Sequence, residues 1–363
     1  MIDFDEFGPE KILEVYDAES KMHGFVVIDS TLRGPAKGGI RMTTSVSVEE
    51  VSRLARAMTW KCALAELPFG GGKSGIVDNT KGDRKKKQEV IEAFGRALKQ
   101  IAPSIYIAAP DINTAEQEME WFVNGNGDKK SCTGKPARLG GLPHELGSTG
   151  FGVYHSTLVA LKHKKIEVKK ARIAIEGFGN VGWFAAKFLS EKGAKIVAVS
   201  DSSGVIFNKD GLDFNELAKV KKEKGKVTAY GKGKILSGKE ILSIDADVLI
   251  TAAIPDLITK ENVGKVKAGI IVEGSNIPTT HEIEEQLIKK GKFIIPDFVA
   301  NAGGVISSYC EYKGLKEKEM FKLVEEKLVK NTQLAIDNMG KHNNCVRCSA
   351  MDIAIERVKK GKR

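Results

Sequence analysis

Three lysines in the first part of the chain sit where a charged side chain is not simply solvated. Lys37 lies in Arg33-Gly34-Pro35-Ala36-Lys37-Gly38-Gly39, Lys61 in Met58-Thr59-Trp60-Lys61, and Lys73 in Pro68-Phe69-Gly70-Gly71-Gly72-Lys73-Ser74-Gly75. Glycines beside Lys37 and Lys73 let backbone or a ligand come close. Clustered ammonium groups lower one another's pKa, and a lysine shifted in this way can act as acid or base near neutrality. A second chemistry is written at Gly177-Phe178-Gly179-Asn180-Val181-Gly182. This G-x-G-x-x-G run is expected to follow a strand at 171–176 and to open a helix at 179–192, the context a dinucleotide phosphate loop requires. Gly177 permits the tight turn, Gly179 lets a pyrophosphate approach the backbone, and Gly182 lets helix and strand pack closely. The first turn of the helix, at Asn180 and Val181, offers N–H groups and the positive end of a dipole to phosphate.

Asp201 lies 24 residues after Gly177, at the end of the next expected strand. A carboxylate there can accept from the adenine-ribose hydroxyls and favours NAD. Ser202 and Ser203 follow it, and hydroxyls there can receive a 2′-phosphate. NAD and NADP both stay open.

The elements that must position these groups are legible in outline. After the glycine-dense segment 134–152, short apolar strands are expected at 171–176, 195–200, 247–252, 270–273 and 293–295, with helical stretches such as 280–290 between them. Strands alternating with helices imply a doubly wound parallel sheet of Rossmann type. The first part also mixes strands and helices. A strand is expected at 24–29, and amphipathic helices at 48–59 and 87–99. Ser47 with Glu50 three residues on makes a capping-box start for the earlier helix. The tail is helical at 317–339 and 350–359. The fold class is therefore α/β in two domains with a cleft between them. Residues 1–148 form an α/β substrate and assembly domain, 149–315 the dinucleotide-binding domain, and 316–363 helices that return to the first domain.

Bulk properties exclude several classes. The chain has 363 residues with 42% hydrophobic and 29% charged content, enough for two real cores. It has no run of about eighteen apolar residues, so no spanning helix is expected. The acidic opening Met1-Ile2-Asp3-Phe4-Asp5-Glu6 lacks the plan of a signal peptide, so a cytoplasmic protein is expected. Net charge is +10, but the basic runs lack interleaved aromatics, so they read as solvated helix faces and no nucleic-acid partner is expected. Five scattered cysteines make no disulfide framework. The spacing His342-x-x-Cys345-x-x-Cys348 has no second ligand pair nearby, so no metal is expected, and the two cysteines read as neighbours one helical turn apart.

From about Gly24 to the tail Ala350-Met351-Asp352-Ile353-Ala354-Ile355-Glu356-Arg357-Val358, the sequence resembles the glutamate/leucine/phenylalanine/valine dehydrogenase family. The run from Gly38 to Gly75 carries the resemblance most specifically. The resemblance implies that Lys61 binds a substrate α-carboxylate and that Lys73 is catalytic. Its partner would be Asp111 in Ala109-Pro110-Asp111-Ile112-Asn113-Thr114. Thr149, Asn276 and Asn301 match positions near the cofactor, and Asn276 and Asn301 also lie near the substrate. Glutamate-specific members resemble this chain in having lysine at 37 and serine at 308, which would pair with a γ-carboxylate; apolar residues stand there in members acting on leucine or phenylalanine. The implied reaction is oxidative deamination of L-glutamate to 2-oxoglutarate and ammonium, and its reverse, with NAD or NADP, in a homohexamer. Alternatives are a leucine, valine or phenylalanine dehydrogenase, and a non-catalytic dinucleotide-binding regulatory subunit. One departure stands out: the stretch around His144 lacks an arginine that many relatives have.

Overall fold

Residues 2, 4–143 and 146–361 are described by a computed structural model of the chain. The chain divides into two units. The first comprises Met1–Leu146, Val305–Met320 and Met351–Arg363, and the second Gly147–Gly304 and Phe321–Ala350.

The first unit is built on a six-stranded sheet. Its strands are β1 (Lys11–Asp17), β2 (Met22–Ser30), β3 (Ala36–Lys37), β4 (Ile40–Thr43), β5 (Gly70–Val77) and β6 (Tyr106–Ile107). The order is β1-β2-β5-β3-β6, with β4 also paired to β5. Strand β2 is antiparallel to both of its neighbours, β1 and β5, whereas β3 and β4 run parallel to β5. The helices are α1 (Val48–Leu64), α2 (Arg84–Ala97) and α3 (Glu116–Asn126).

Period-two alternation along β2 feeds two cores. Val26 and Ile28 join a cluster with Phe94 of α2 and Phe122 of α3, while Phe25 and Val27 join Val51 and Ala55 of α1. Both faces of the strand are thus covered, which is why it reads as one continuous apolar run. The start of α1 follows its sequence signal: Ser47 Oγ accepts from the Glu50 N–H at 3.3 Å.

The second unit carries α4 (Ser148–His163), β7 (Arg172–Glu176), α5 (Asn180–Glu191), β8 (Lys195–Asp201), β9 (Gly204–Phe207), α6 (Phe214–Lys224) and β10 (Lys234–Leu236). These are followed by β11 (Val248–Thr251), β12 (Ile270–Glu273), α7 (His281–Lys289), β13 (Phe293–Ile295) and α8 (Asp297–Ala300). The sheet order is β10-β9-β8-β7-β11-β12-β13. The five strands expected from sequence are parallel, and β9 and β10 add an antiparallel edge. Strand order reverses at β7, the topological switch point at whose carboxyl end such sheets bind ligands.

The remaining helices are α9 (Gly303–Lys313), α10 (Glu317–Asn338) and α11 (Val346–Lys359). Their distribution differs from the expected boundaries. Residues 305–320 belong to the first unit, although the dinucleotide domain was expected to run to 315, and 321–350 belong to the second. Within the second unit, Phe321 packs edge-on to Phe151 and Thr332 shares a hydrogen bond with Ser156. Residues 351–363 belong again to the first unit, where Arg357 donates to the Leu64 carbonyl at the end of α1 and pairs with Glu66 at 3.3 Å. A second correction concerns cysteine. Cys345 and Cys348 are disulfide-bonded, because the first turn of α11 brings their Cα atoms to 5.3 Å, within bridging range.

Candidate active site

The first unit gathers Lys73, Asp111 and an arginine that the sequence reading did not single out. Lys73 lies on β5, where the run Gly70-Gly71-Gly72 forms a buried strand. Glycine is required here by close approach: a Cβ at Gly71 would fall 2.0 Å from Thr59 Oγ1 of α1. Asp111 follows β6 in a turn closed by its own N–H donating to Thr114 Oγ1 at 2.9 Å. A Cβ at Gly39 would meet Asp111 Cβ at 2.9 Å, so only glycine admits this turn against the sheet.

Lys73 Nζ stands 3.0 Å from Asp111 Oδ2, and Arg41 Nε, on β4, donates to the same oxygen at 2.9 Å. Arg41 is held from behind by Glu50 of α1. Burial pushes the Lys73 pKa down; Asp111 opposes that push, while Arg41 and Lys61 add to it, and the net result is lowered. For Asp111, burial raises the pKa, but Lys73 and Arg41 together overcome it and hold the carboxyl below its ordinary value. A buried lysine whose ammonium form is disfavoured, beside a carboxyl whose ionised form is favoured, can divide the two proton movements of an amine elimination. Lys61, in the last turn of α1, is partly buried and acts on Lys73 through its charge.

Lys37 is placed differently from the expectation that it presents a charge to a ligand. Its side chain is 1% exposed, and its ammonium donates to the Ala108 carbonyl at 2.7 Å and the Ile107 carbonyl at 3.4 Å. Burial pushes its pKa down to about 7. Its strand β3 lies between β5 and β6 in the interior of the sheet, and both of its residues are buried. Ser308, half-buried on α9, is not among its partners. One turn on, the buried Glu311 accepts from the Gly134 N–H at 2.9 Å, the Leu142 N–H at 3.1 Å and Lys135 Nζ at 2.6 Å. The sequence reading missed this clamp; nothing in the local pattern marks either side chain. His144, where the arginine is missing, lies outside the described residues.

The second unit carries the glycine loop, and its geometry fits a dinucleotide. Gly177 adopts φ +93°, a Cβ at Gly182 would fall 1.9 Å from the Gly177 carbonyl oxygen, and one at Gly179 would meet nothing within 4 Å. Gly177 and Gly182 therefore close the turn, and Gly179 leaves open space before α5, whose first turn holds Asn180 and Val181. Thr149 lies in the first turn of α4, and a Cβ at Gly304 would approach its hydroxyl to 2.9 Å. Asn301 Nδ2 donates to Asn276 Oδ1 at 2.9 Å, while Asn301 Oδ1 is buried without a hydrogen-bond partner among the described residues. Such an orphaned acceptor fits an amide N–H of a bound nicotinamide.

Asp201 departs from the simple ribose-binding picture. Its Oδ1 accepts the Ser203 N–H and hydroxyl, and its Oδ2 accepts Lys221 Nζ at 2.6 Å and the Val227 N–H at 2.9 Å. Ser202 is exposed in the turn between β8 and β9. Lys221 on α6 is a cation the sequence reading passed over within a basic run.

Among the described residues no helix is long and apolar enough to cross a membrane, and no group of three or more His, Cys, Asp or Glu could hold a metal ion.

Residues 140–363 match the Glutamate/Leucine/Phenylalanine/Valine dehydrogenase family, and residues 9–126 match the Glu/Leu/Phe/Val dehydrogenase dimerisation domain. The chain is 42% identical to a glutamate dehydrogenase of Aeropyrum pernix over 90% of this chain and 82% of that one. It is 38% identical to an NADP-specific glutamate dehydrogenase of Saccharolobus shibatae over 96% and 88%. A crystal structure of hetero-hexameric glutamate dehydrogenase from Thermus thermophilus superposes with a TM-score of 0.86 at 25% identity, covering 98% of this chain and 89% of that one. The chain belongs to the Glutamate/Leucine/Phenylalanine/Valine dehydrogenase family.

Proposed function

We propose that the chain interconverts L-glutamate with 2-oxoglutarate and ammonium, using NAD or NADP. The observation that carries this reading is the buried Lys73–Asp111 pair at 3.0 Å, in a chain 42% identical to a glutamate dehydrogenase. A bound NAD or NADP supplies the two-electron acceptor for the substrate Cα–N centre. Gly177, Gly179, Gly182 and the first turn of α5 would hold its phosphates, and Asn276, Asn301 and Thr149 its nicotinamide end.

The proton work belongs to the first unit. Neutral Lys73 takes a proton from the water that adds to the oxidised α-carbon, and Asp111 relays a proton toward the departing amine. Lys61 offers a charge-assisted hydrogen bond to the α-carboxylate. Lys37 and Ser308 are proposed to meet the γ-carboxylate. Lys37 does so by giving up its carbonyl partners and taking up a proton, since a buried carboxylate raises the pKa of an adjacent ammonium.

The assembly is proposed to be a homohexamer; the match to a dimerisation domain supports self-association, and the hetero-hexameric Thermus structure supports the count of six. The proposed place of action is the cytoplasm, where both dinucleotide pools are available. The test is a steady-state absorbance assay of purified protein with glutamate, leucine, valine and phenylalanine against each cofactor. Glutamate should lead in kcat/KM by roughly tenfold or more. A preference for an apolar amino acid, or dinucleotide binding with no turnover on any of them, would overturn the reading.

A further inference from the structure

Arg41 has no part in the chemistry proposed above, yet it lies as close to Asp111 as Lys73 does. Its Nε donates to Asp111 Oδ2 at 2.9 Å, the oxygen that also receives Lys73 at 3.0 Å. Its other edge is gripped by Glu50, whose own N–H is fixed by Ser47 at the start of α1. Parallel pairing of β4 with β5 sets Arg41 opposite Gly75, two residues from Lys73, so both cations reach one carboxylate. We propose that Arg41 is a positioning residue for the proton-transfer pair, aligning the Asp111 carboxylate with Lys73 and setting the pH range in which the pair works.

This inference rests on the reading of Lys73 and Asp111 as the proton-transfer pair. A guanidinium does not lose its proton in the working range, so Arg41 is a fixed positive charge. It acts on both members in the same sense: it keeps Asp111 ionised and disfavours the ammonium form of Lys73. The other groups facing the pair are Lys61 of α1, which adds to the positive field; Glu50 of α1, which offsets part of Arg41; and Tyr106 of β6, whose pKa burial raises so that it stays neutral. Two titrating groups this close share their protons, so the observable is the titration of the pair. A purely structural tie between β4 and α1 would change the amount of folded protein and leave that titration where it is.

The test is the pH profile of kcat/KM for glutamate oxidation in wild type, Arg41→Gln, Arg41→Lys, Glu50→Gln and Asp111→Asn. Each is paired with competitive acetylation of Lys73 by acetic anhydride, read by peptide mass spectrometry, which reports the lysine without using activity. In Arg41→Gln the ascending limb and the acetylation midpoint should both rise by about one pH unit. Arg41→Lys should restore the midpoint but stay at least roughly tenfold low in kcat, because a single ammonium cannot hold Asp111 and Glu50 along two edges at once. Glu50→Gln, which covers the case in which Arg41→Gln does not fold, should move both midpoints the opposite way. Midpoints indistinguishable from wild type in the folded charge variants would overturn the role of Arg41. Asp111→Asn at wild-type activity would instead remove Asp111 from the mechanism, leaving the acetylation midpoints to judge Arg41 alone.

Discussion

Lys73 and Asp111 face each other at 3.0 Å across strand β5 and the turn after β6, both largely withdrawn from water. Burial and the neighbouring cations lower the lysine's pKa, while the same cations keep the aspartate ionised. The pair is thus pre-set as a base beside a carboxylate, which a solvated lysine and aspartate would not be.

Lys61 should act on binding rather than on chemistry. Lys61→Ala is expected to raise the KM for 2-oxoglutarate by roughly ten- to a hundred-fold, the loss of one charge-assisted hydrogen bond of about 1.5–3 kcal/mol. The kcat at saturation should fall within a few-fold of wild type. Initial-rate kinetics separate the two, and an unchanged KM would remove Lys61 from the α-carboxylate site.

Lys37 gives a pH dependence with a definite sign. Its pKa in the free protein is about 7, and a γ-carboxylate partner would raise it in the complex. Binding is therefore strongest below about pH 7, where Lys37 already carries its proton, and weakens as pH rises through that value. Glutamate affinity in wild type should decline above neutrality, and Lys37→Leu should flatten that decline while lowering kcat/KM. The double variant Lys37→Leu with Ser308→Val should gain relative activity toward leucine, at about 0.8 kcal/mol for each methylene newly buried. A double variant that still prefers glutamate would show that these two residues do not set specificity.

Arg347 binds three acidic side chains of the second unit. It pairs with Glu273 at 2.7 Å, Asp297 at 3.0 Å and Glu284, and the two glutamates are almost fully buried. Burial and the neighbouring Asp297 and Glu284 hold the Glu273 carboxyl well above its ordinary range even with Arg347 opposing them. Arg347→Ala strands three buried acids, so it should cost about 3–5 kcal/mol in urea unfolding. The loss should shrink as pH falls and Glu273, whose pKa is already raised by burial, takes up a proton. A loss below about 1 kcal/mol at neutral pH, the size of an exposed pair, would contradict this account.

Much of this was legible in the sequence, and the misses have physical causes. The glycine loop, strands β7, β8, β11, β12 and β13, and the ends of α7 were readable because local pattern and tertiary role agree there. Strand β5 was not, since three consecutive glycines have poor strand propensity; they are selected by the approach of Thr59 and Ser30, which no local pattern reports. Lys73 and Asp111 were legible as a pair only through resemblance, because a turn 38 residues downstream brings the carboxylate back. Arg41, Lys221, Glu311 and Arg347 were passed over because a charged residue in sequence reads as solvated until its buried partner is known. The Cys345–Cys348 bond was read as mere proximity, since cysteine count gives no geometry.

Lys221 bears on cofactor choice. With all four hydrogen bonds to Asp201 supplied by the protein, the carboxylate has little capacity left for ribose hydroxyls. The cation that neutralises it would also face a 2′-phosphate. Lys221→Ala should therefore lower the NADP-to-NAD ratio of kcat/KM by roughly tenfold, since it leaves Asp201 uncompensated. An unchanged ratio would place cofactor discrimination elsewhere.

The central claim is that Lys73 performs the proton chemistry on glutamate and has no part in holding the dinucleotide. It is tested most directly by the kcat of Lys73→Ala for glutamate oxidation, measured on protein shown by fluorescence titration to bind the reduced cofactor as wild type does. The account predicts a fall of about a thousand-fold or more, the scale of losing a positioned general base. Turnover within a few-fold of wild type, with cofactor binding intact, would contradict it.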